Sequence, residues 1–204
     1  DTFVYDLTQT PTSNNFGNFT YTNMDEFKGN SFGTDTIPAF VNYVEGIYVG
    51  YKFYETAAAE GLIDYDKTVV YPFGRGLSYT TFTQTLNSVT EADGTITVDV
   101  TVTNTGSASG KEVVEVYYNP PYTNGGIEKA SANLIGFAKT SELAPGASEN
   151  VTVTFKAEDM ASYDTYGKGC YVLEKGDYVI SINADSHTVL DSKVYTVASD
   201  IVYD

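Results

Sequence analysis

The side chains of this chain that could do chemistry are an excess of carboxylates, one histidine, one cysteine and many aromatic rings. With 27 Asp and Glu residues, the chain offers carboxylate pairs, and a pair about 5 Å apart can act as nucleophile and acid/base on a glycosidic bond. Glu45, Glu55, Glu60, Asp64 and Asp66 fall in or beside one helix-forming stretch, where solvated or ion-paired surface roles are expected. His187 would have to serve any Ser-His or Cys-His nucleophile, yet Asp185-Ser-His-Thr188 reads as a solvent-exposed turn between strands. One His and one Cys are too few for the usual zinc site, and Asp64-Tyr-Asp66 and Glu158-Asp159 offer too few ligands for a calcium loop. Gly74-Arg-Gly76 and Asn124-Gly-Gly126 lack the strand-to-helix context and the Lys of a phosphate cradle. These residues assign no catalytic position and no metal, and they require no cofactor.

The rings are more informative. Eighteen Tyr and 11 Phe, with no Trp, include many that alternate within strand-like runs, where core and cross-strand packing is expected. Two clusters fall on irregular chain instead, and there a ring can stack on the apolar face of a sugar while amides bind its hydroxyls. One comprises Asn14, Asn15, Phe16 and Tyr21; the other is Tyr122 in Asn119-Pro-Pro-Tyr-Thr-Asn-Gly-Gly126. These five are the candidate substrate-binding residues.

The elements that must position them have two textures. Residues up to about Phe40 are poor in periodicity and rich in Asn, Thr, Gly and rings, as expected of chain lying over another surface. A helix is expected from about Glu45 to Glu60, with Gly46 and Gly50 on one face for close packing, three alanines favouring the helix, and Gly61 ending it. Ile63–Lys67 reads as a surface turn. Tyr71-Pro-Phe-Gly-Arg-Gly-Leu-Ser-Tyr79 reads as a shaped loop in a packed linker, with Gly74 and Gly76 freeing the backbone on either side of Arg75.

Beyond Thr81, apolar residues alternate. Ile96, Val98, Val100 and Val102 interleave with Thr and Asp after an Asp93-Gly94 hairpin turn. Val151, Val153 and Phe155 follow a Pro145-Gly146 turn, and Tyr178, Ile180 and Ile182 follow Lys175-Gly176-Asp177. Further strands are expected at Phe82–Val89, Glu112–Tyr118, Leu134–Lys139, Gly169–Leu173 and Thr188–Val197. This spacing predicts a mainly β fold, an antiparallel sandwich of immunoglobulin or fibronectin type III-like kind.

Six strings, "EGIYVGYKFYE", "YPFGRGLSYTTF", "VTVTNTGSASGKEVVEVYY", "LIGFAK", "LAPGAS" and "VLEKGDYVISI", occur in an order that resembles the C-terminal region of glycoside hydrolase family 3. Lys52 stands where that family typically has Arg, and Arg75 where it often has Tyr or His. The resemblance implies that residues 1–80 are the tail of an α/β sandwich domain with one linking helix, 81–198 a fibronectin type III-like sandwich, and 199–204 the start of a linker or a truncated end. It also implies a non-catalytic portion of a β-glucosidase-like enzyme, because the family's nucleophile lies on a β/α barrel, which in some members precedes and in others follows this segment, and its acid/base lies in the α/β sandwich upstream of it. Its partners would be those domains, a β/α barrel and an α/β sandwich, and through them a carbohydrate with terminal β-linked sugars, hydrolysed with retention. The alternative is a free-standing carbohydrate-binding or protein-binding immunoglobulin-like module.

Composition narrows the partners further. The formal charge of −16 is spread along the chain and disfavours nucleic acid and anionic lipid. Lone Cys170 can form no intrachain disulfide. No run of about 20 apolar residues suggests a membrane span and no basic-then-apolar leader is visible; the start at Asp1 without Met suggests a piece of a longer protein, and a bacterial cytoplasmic or secreted location is left open.

Overall fold

The computed structural model describes residues 3–4 and 46–203. Gly46 aside, these belong to one unit formed by Asp1–Val4 and Ile47–Asp204. In chain order its elements are β1 (Phe3–Val4), α1 (Tyr51–Ala59), α2 (Tyr65–Thr68), β2 (Val69–Tyr71), β3 (Phe82–Ala92), β4 (Thr95–Asn104), β5 (Val113–Asn119), β6 (Asn133–Lys139) and β7 (Ser148–Lys156). A 3₁₀ turn (Ala157–Met160) leads to β8 (Ser162–Tyr163), β9 (Tyr171–Leu173), β10 (Gly176–Asn183), β11 (Val189–Val197) and β12 (Ile201–Tyr203).

Two antiparallel sheets, ordered β3-β4-β7 and β11-β10-β5-β6, form the sandwich. The alternation read in β4 sets its inner face: Ile96, Val98, Val100 and Val102 are fully buried, because successive side chains of a strand point to opposite faces. They meet Val114 and Val116 of β5, Val151, Val153 and Phe155 of β7, and Tyr178, Ile180 and Ile182 of β10 in one core. The β3–β4 hairpin closes through Asp93 and Gly94, at φ 50° and 73°, the pair of left-handed residues that a two-residue turn between twisted strands requires. Asn104 at the end of β4 is fully buried and fully bonded. Its Nδ2 donates to the carbonyls of Ala108 and Leu143 at 2.8 Å, and its Oδ1 accepts from the Thr80 hydroxyl and the Gly106 N–H.

A small third sheet, β12-β9-β8, extends the structure. Ile201–Tyr203, expected to begin a linker or a truncated end, pairs antiparallel with Tyr171–Leu173. β1 pairs with β2, with Phe3 opposite Tyr71.

The helix is shorter than its sequence suggested. Gly46 and Gly50 have φ of 55° and 60°, so neither is helical, and the expectation that they share a helix face is wrong. Gly50 is the N-cap residue, without a side-chain cap bond. At the other end the Leu62 N–H donates to Ala57 O and the Gly61 N–H to Ala58 O, the paired closure typical of a helix ending in glycine. The turn expected at Ile63–Lys67 contains the short helix α2, which Asp64 caps by accepting from the Lys67 N–H at 3.3 Å.

Strand alternation fails where the helix lies. Tyr117 of β5 and Ser181 and Asn183 of β10 point away from the sandwich core and are nevertheless buried. Tyr51 supplies part of the cover: its ring meets Tyr117 edge-on at 6.1 Å and its hydroxyl accepts the Leu134 N–H at 2.8 Å. The outer face of the four-stranded sheet therefore acts as a second, smaller core.

Candidate functional site

Glu55 is the centre of this outer layer. It sits on the face of α1 shared with Tyr51 and, although a carboxylate, is only 7% exposed. Three donors converge on it. The Tyr65 hydroxyl donates to Oε1 at 2.6 Å, the Ser186 hydroxyl donates to the same oxygen at 2.8 Å, and His187 Nδ1 lies 2.8 Å from Oε2. A carboxylate only accepts, so Nδ1 carries the hydrogen of that bond. The imidazole also stacks on the Tyr65 ring, 3.6 Å between centroids and 6° from parallel.

The expectation of a solvated Glu55 is thus overturned, since it faces the sheet and not water. His187 does lie in the β10–β11 turn, shaped by Asp185 accepting from the His187 and Thr188 N–H groups. Its side chain is not free, however, and keeps 43% exposure while bound to Glu55. A Ser, a His and a Glu within reach resemble a hydrolytic triad in composition only. Here the carboxylate binds both partners and no Ser–His bond is present, whereas a nucleophile needs its base at hydrogen-bond distance. The cluster is a clamp joining α1, α2 and the β10–β11 turn.

The loop after β2 docks beside the clamp. Phe73 stacks on Tyr51 at 4.9 Å and its carbonyl accepts the Ser186 N–H at 2.8 Å. Gly74 has φ 87°, and a Cβ there would lie 2.5 Å from the Glu115 carboxylate, so both backbone and space demand glycine. Gly76 is not among the residues with positive φ; of the two glycines beside Arg75, only Gly74 takes that conformation. Arg75 lies over the Tyr71 ring at 5.1 Å. Beyond these anchors the loop turns outward, leaving Leu77 95% and Tyr79 100% exposed.

Of the candidate substrate-binding residues, Asn14, Asn15, Phe16 and Tyr21 lie outside the described residues. Tyr122 projects from the β5–β6 connection into a groove of about 460 Å³ between that connection and α1. Cys170 is a free thiol, and among the described residues no group of three or more His, Cys, Asp or Glu is arranged to hold a metal ion.

Residues 112–186 match the fibronectin type III-like domain family. The chain is 42% identical over 157 residues to β-glucosidase A of Butyrivibrio fibrisolvens, covering 68% of this chain and 18% of that one. It is 34% identical over 203 residues to a β-glucosidase of Ruminococcus albus, covering 98% of this chain and 18% of that one. In structure it resembles a β-glucosidase from Paenibacillus barengoltzii with a TM-score of 0.76 at 33% identity, over 99% of this chain and 20% of the other. The chain belongs to glycoside hydrolase family 3. It is the segment of that family carrying the fibronectin type III-like domain, and it spans about a fifth of the length of the curated relatives it matches.

The likeness to the Paenibacillus enzyme extends over nearly the whole chain, whereas the domain match begins only at Glu112, in front of β5. The clamp joins family 3 sequence on both sides of that boundary. No helix among the described residues is long and apolar enough to cross a membrane.

Two titrating features set expectations for this family 3 segment. Burial pushes the Tyr65 hydroxyl well above its ordinary range, reinforced by its bond to Glu55. Burial likewise raises Glu115 above 4.5, opposed by the Tyr117 hydroxyl that donates to it and reinforced by Asp185 and Glu112.

Glu55→Ala removes the acceptor for three donors, and the expected loss is about 3 kcal/mol. Glu55→Gln keeps one acceptor oxygen and is expected to lose less, giving the order wild type, Gln, Ala in urea midpoints at unchanged m-value. The folded state holds the Glu115 proton more tightly than the unfolded state does, so stability falls as pH rises from the unfolded value toward the folded one. Melting of Glu115→Gln is therefore expected to show a shallower decline than wild type as pH rises above the ordinary carboxylate range; parallel curves for the two proteins would refute this.

Proposed function

We propose that this chain is a non-catalytic part of a β-glucosidase-like enzyme, in which the sandwich and its clamped helix buttress the catalytic domains. The parent enzyme hydrolyses terminal β-linked sugars with retention and without a cofactor. The observation that carries this reading is the loop around Leu77 and Tyr79. It is anchored at Phe73 and Gly74 by a stacked ring, a backbone bond and a close carboxylate, yet presents two large apolar side chains outward. A held loop with bare apolar ends suits a docking element, because exposed apolar surface of this kind is stabilising only when covered. The matches to β-glucosidases about five times longer support the same reading. Tyr122, in its groove beside α1, is assigned to the rim of the sugar-binding region.

Two experiments test the proposal. The purified 204-residue chain is expected to leave a chromogenic aryl β-glucoside intact; turnover that follows this polypeptide through purification would place a catalytic carboxylate pair within it. Leu77→Ser and Tyr79→Ser are expected to change the melting of the chain alone by less than about 0.5 kcal/mol, as for other exposed sites. In the full-length enzyme each should cost about 2 kcal/mol, the value of a covered apolar side chain. Equal, small effects in both settings would remove the docking role.

A further inference from the structure

The groove containing Tyr122 has a lining that identifies a ligand class. Its volume of about 460 Å³ lies within the roughly 300–1,000 Å³ of small-molecule sites. Three rings, Tyr48, Phe53 and Tyr122, contribute to its wall, and among its polar side chains are Glu60, Asn119 and Asn124. The Tyr48 hydroxyl donates to Glu128 at 2.5 Å, which fixes that ring. The Ser131 N–H donates to Thr56 Oγ1 at 3.0 Å, which ties α1 to the opposite wall. The Thr56–Ser131 bond thus joins two walls of the groove directly.

Its charges decide the rest. Lys129 lines the groove, but its ammonium is taken up by Glu174 and by the Pro121 carbonyl, 2.6 Å away. Among the described residues that line the groove, no other cation is available to an anion, which would face Glu60 in a chain of net charge −16. Among the described residues, the side chains of Glu60, Asn119 and Asn124 make no hydrogen bond to one another or to any other group. Rings that offer apolar faces, beside amides and a carboxylate with unused hydrogen-bonding capacity, suit a ligand that is apolar on its faces and hydroxylated on its edges. A pyranose has that character.

We propose that this groove is a binding site for a neutral β-linked gluco-oligosaccharide, with Tyr122 as the stacking platform and Asn119, Asn124 and Glu60 as hydroxyl partners. The identity of the sugar rests on the β-glucosidase-like reading above; the requirement for a neutral polyol rests on the lining. The site lies within this chain, so it binds without the catalytic domains and holds a sugar that the chain does not cleave.

The test is calorimetric titration of the 204-residue chain with cellotetraose, with the oligosaccharide analysed for glucose release afterwards. Saturable binding is expected, weakened at least tenfold in Tyr122→Ala and measurably in Asn124→Ala. Both variants are in an exposed connection and should keep the wild-type circular dichroism, and Tyr166→Ser, at an exposed position outside the groove, serves as a control with unchanged affinity. No saturation at about 10 mM, a concentration at which even a millimolar site would be filled, overturns the proposal, as does binding that Tyr122→Ala leaves intact. A dimer found by sedimentation and dispersed by Tyr122→Ala would also overturn it, giving the groove to a second copy. Glucose release would instead contradict the non-catalytic reading, so the two failures are distinguishable.

Discussion

A carboxylate cannot be buried without partners, and the outer layer of this protein is organised around that constraint at Glu55. An unpaired charge in a low-dielectric setting costs several kcal/mol, so Glu55 lies near the sheet only because Tyr65, Ser186 and His187 reach it together. Those residues belong to α2 and to the β10–β11 turn, more than a hundred positions apart. The pairing therefore fixes the rotation of α1 about its axis in a way that apolar contacts alone would not, since oily surfaces tolerate sliding and hydrogen bonds do not. With that rotation set, Tyr51 stacks on Phe73 and covers Tyr117, and Thr56 meets the backbone at Ser131.

The sandwich was legible in the sequence because its information is local. Ile96 to Val102 alternate with period two, Asp93-Gly94 specifies the turn before them, and the pattern recurs in β7 and β10. A strand with one apolar face has few alternatives in register, because a one-residue slip reverses its faces. Even so, local reading underestimates strands whose second face is also covered. Ser181 and Asn183 give no signal of burial, and neither does Tyr117, since Tyr51, which meets its ring, lies far away in the chain.

The outer layer was poorly legible for the same reason. Glu55 in Tyr-Glu-Thr-Ala-Ala-Ala reads as an ordinary surface acid, and His187 as a turn residue, because the meaning of each depends on the other. One available signal was the helix pattern itself. Tyr51, Tyr54, Glu55 and Ala58 share a face at spacings of three and four, so an apolar helix face would carry Glu55 inward with it. The glycines of Gly46-Ile-Tyr-Val-Gly50 misled in the opposite direction. Small residues four apart fit a helix contact, but glycine is also the residue of left-handed φ, and here the second role prevailed.

The same pairing of charge and backbone recurs at Gly74, where it connects stability to placement. Glu115 is drawn under the loop, pinned by the Tyr117 hydroxyl, and leaves no room above it for a side chain larger than glycine's hydrogen. Burial raises its pKa, so this contact opposes folding as the carboxylate ionises. A sequence selected for stability alone would place a neutral residue there. What the carboxylate and glycine provide together is a fixed loop exit, with Leu77 and Tyr79 carried outward from a position that stacking and hydrogen bonds determine. A surface that must meet a second body gains more from such definition than from additional stability, because docking favours groups already held in place. On this argument the clamp at Glu55 and the glycine over Glu115 act as one device, orienting the helix and the loop on a sheet face that a free-standing sandwich would leave to solvent.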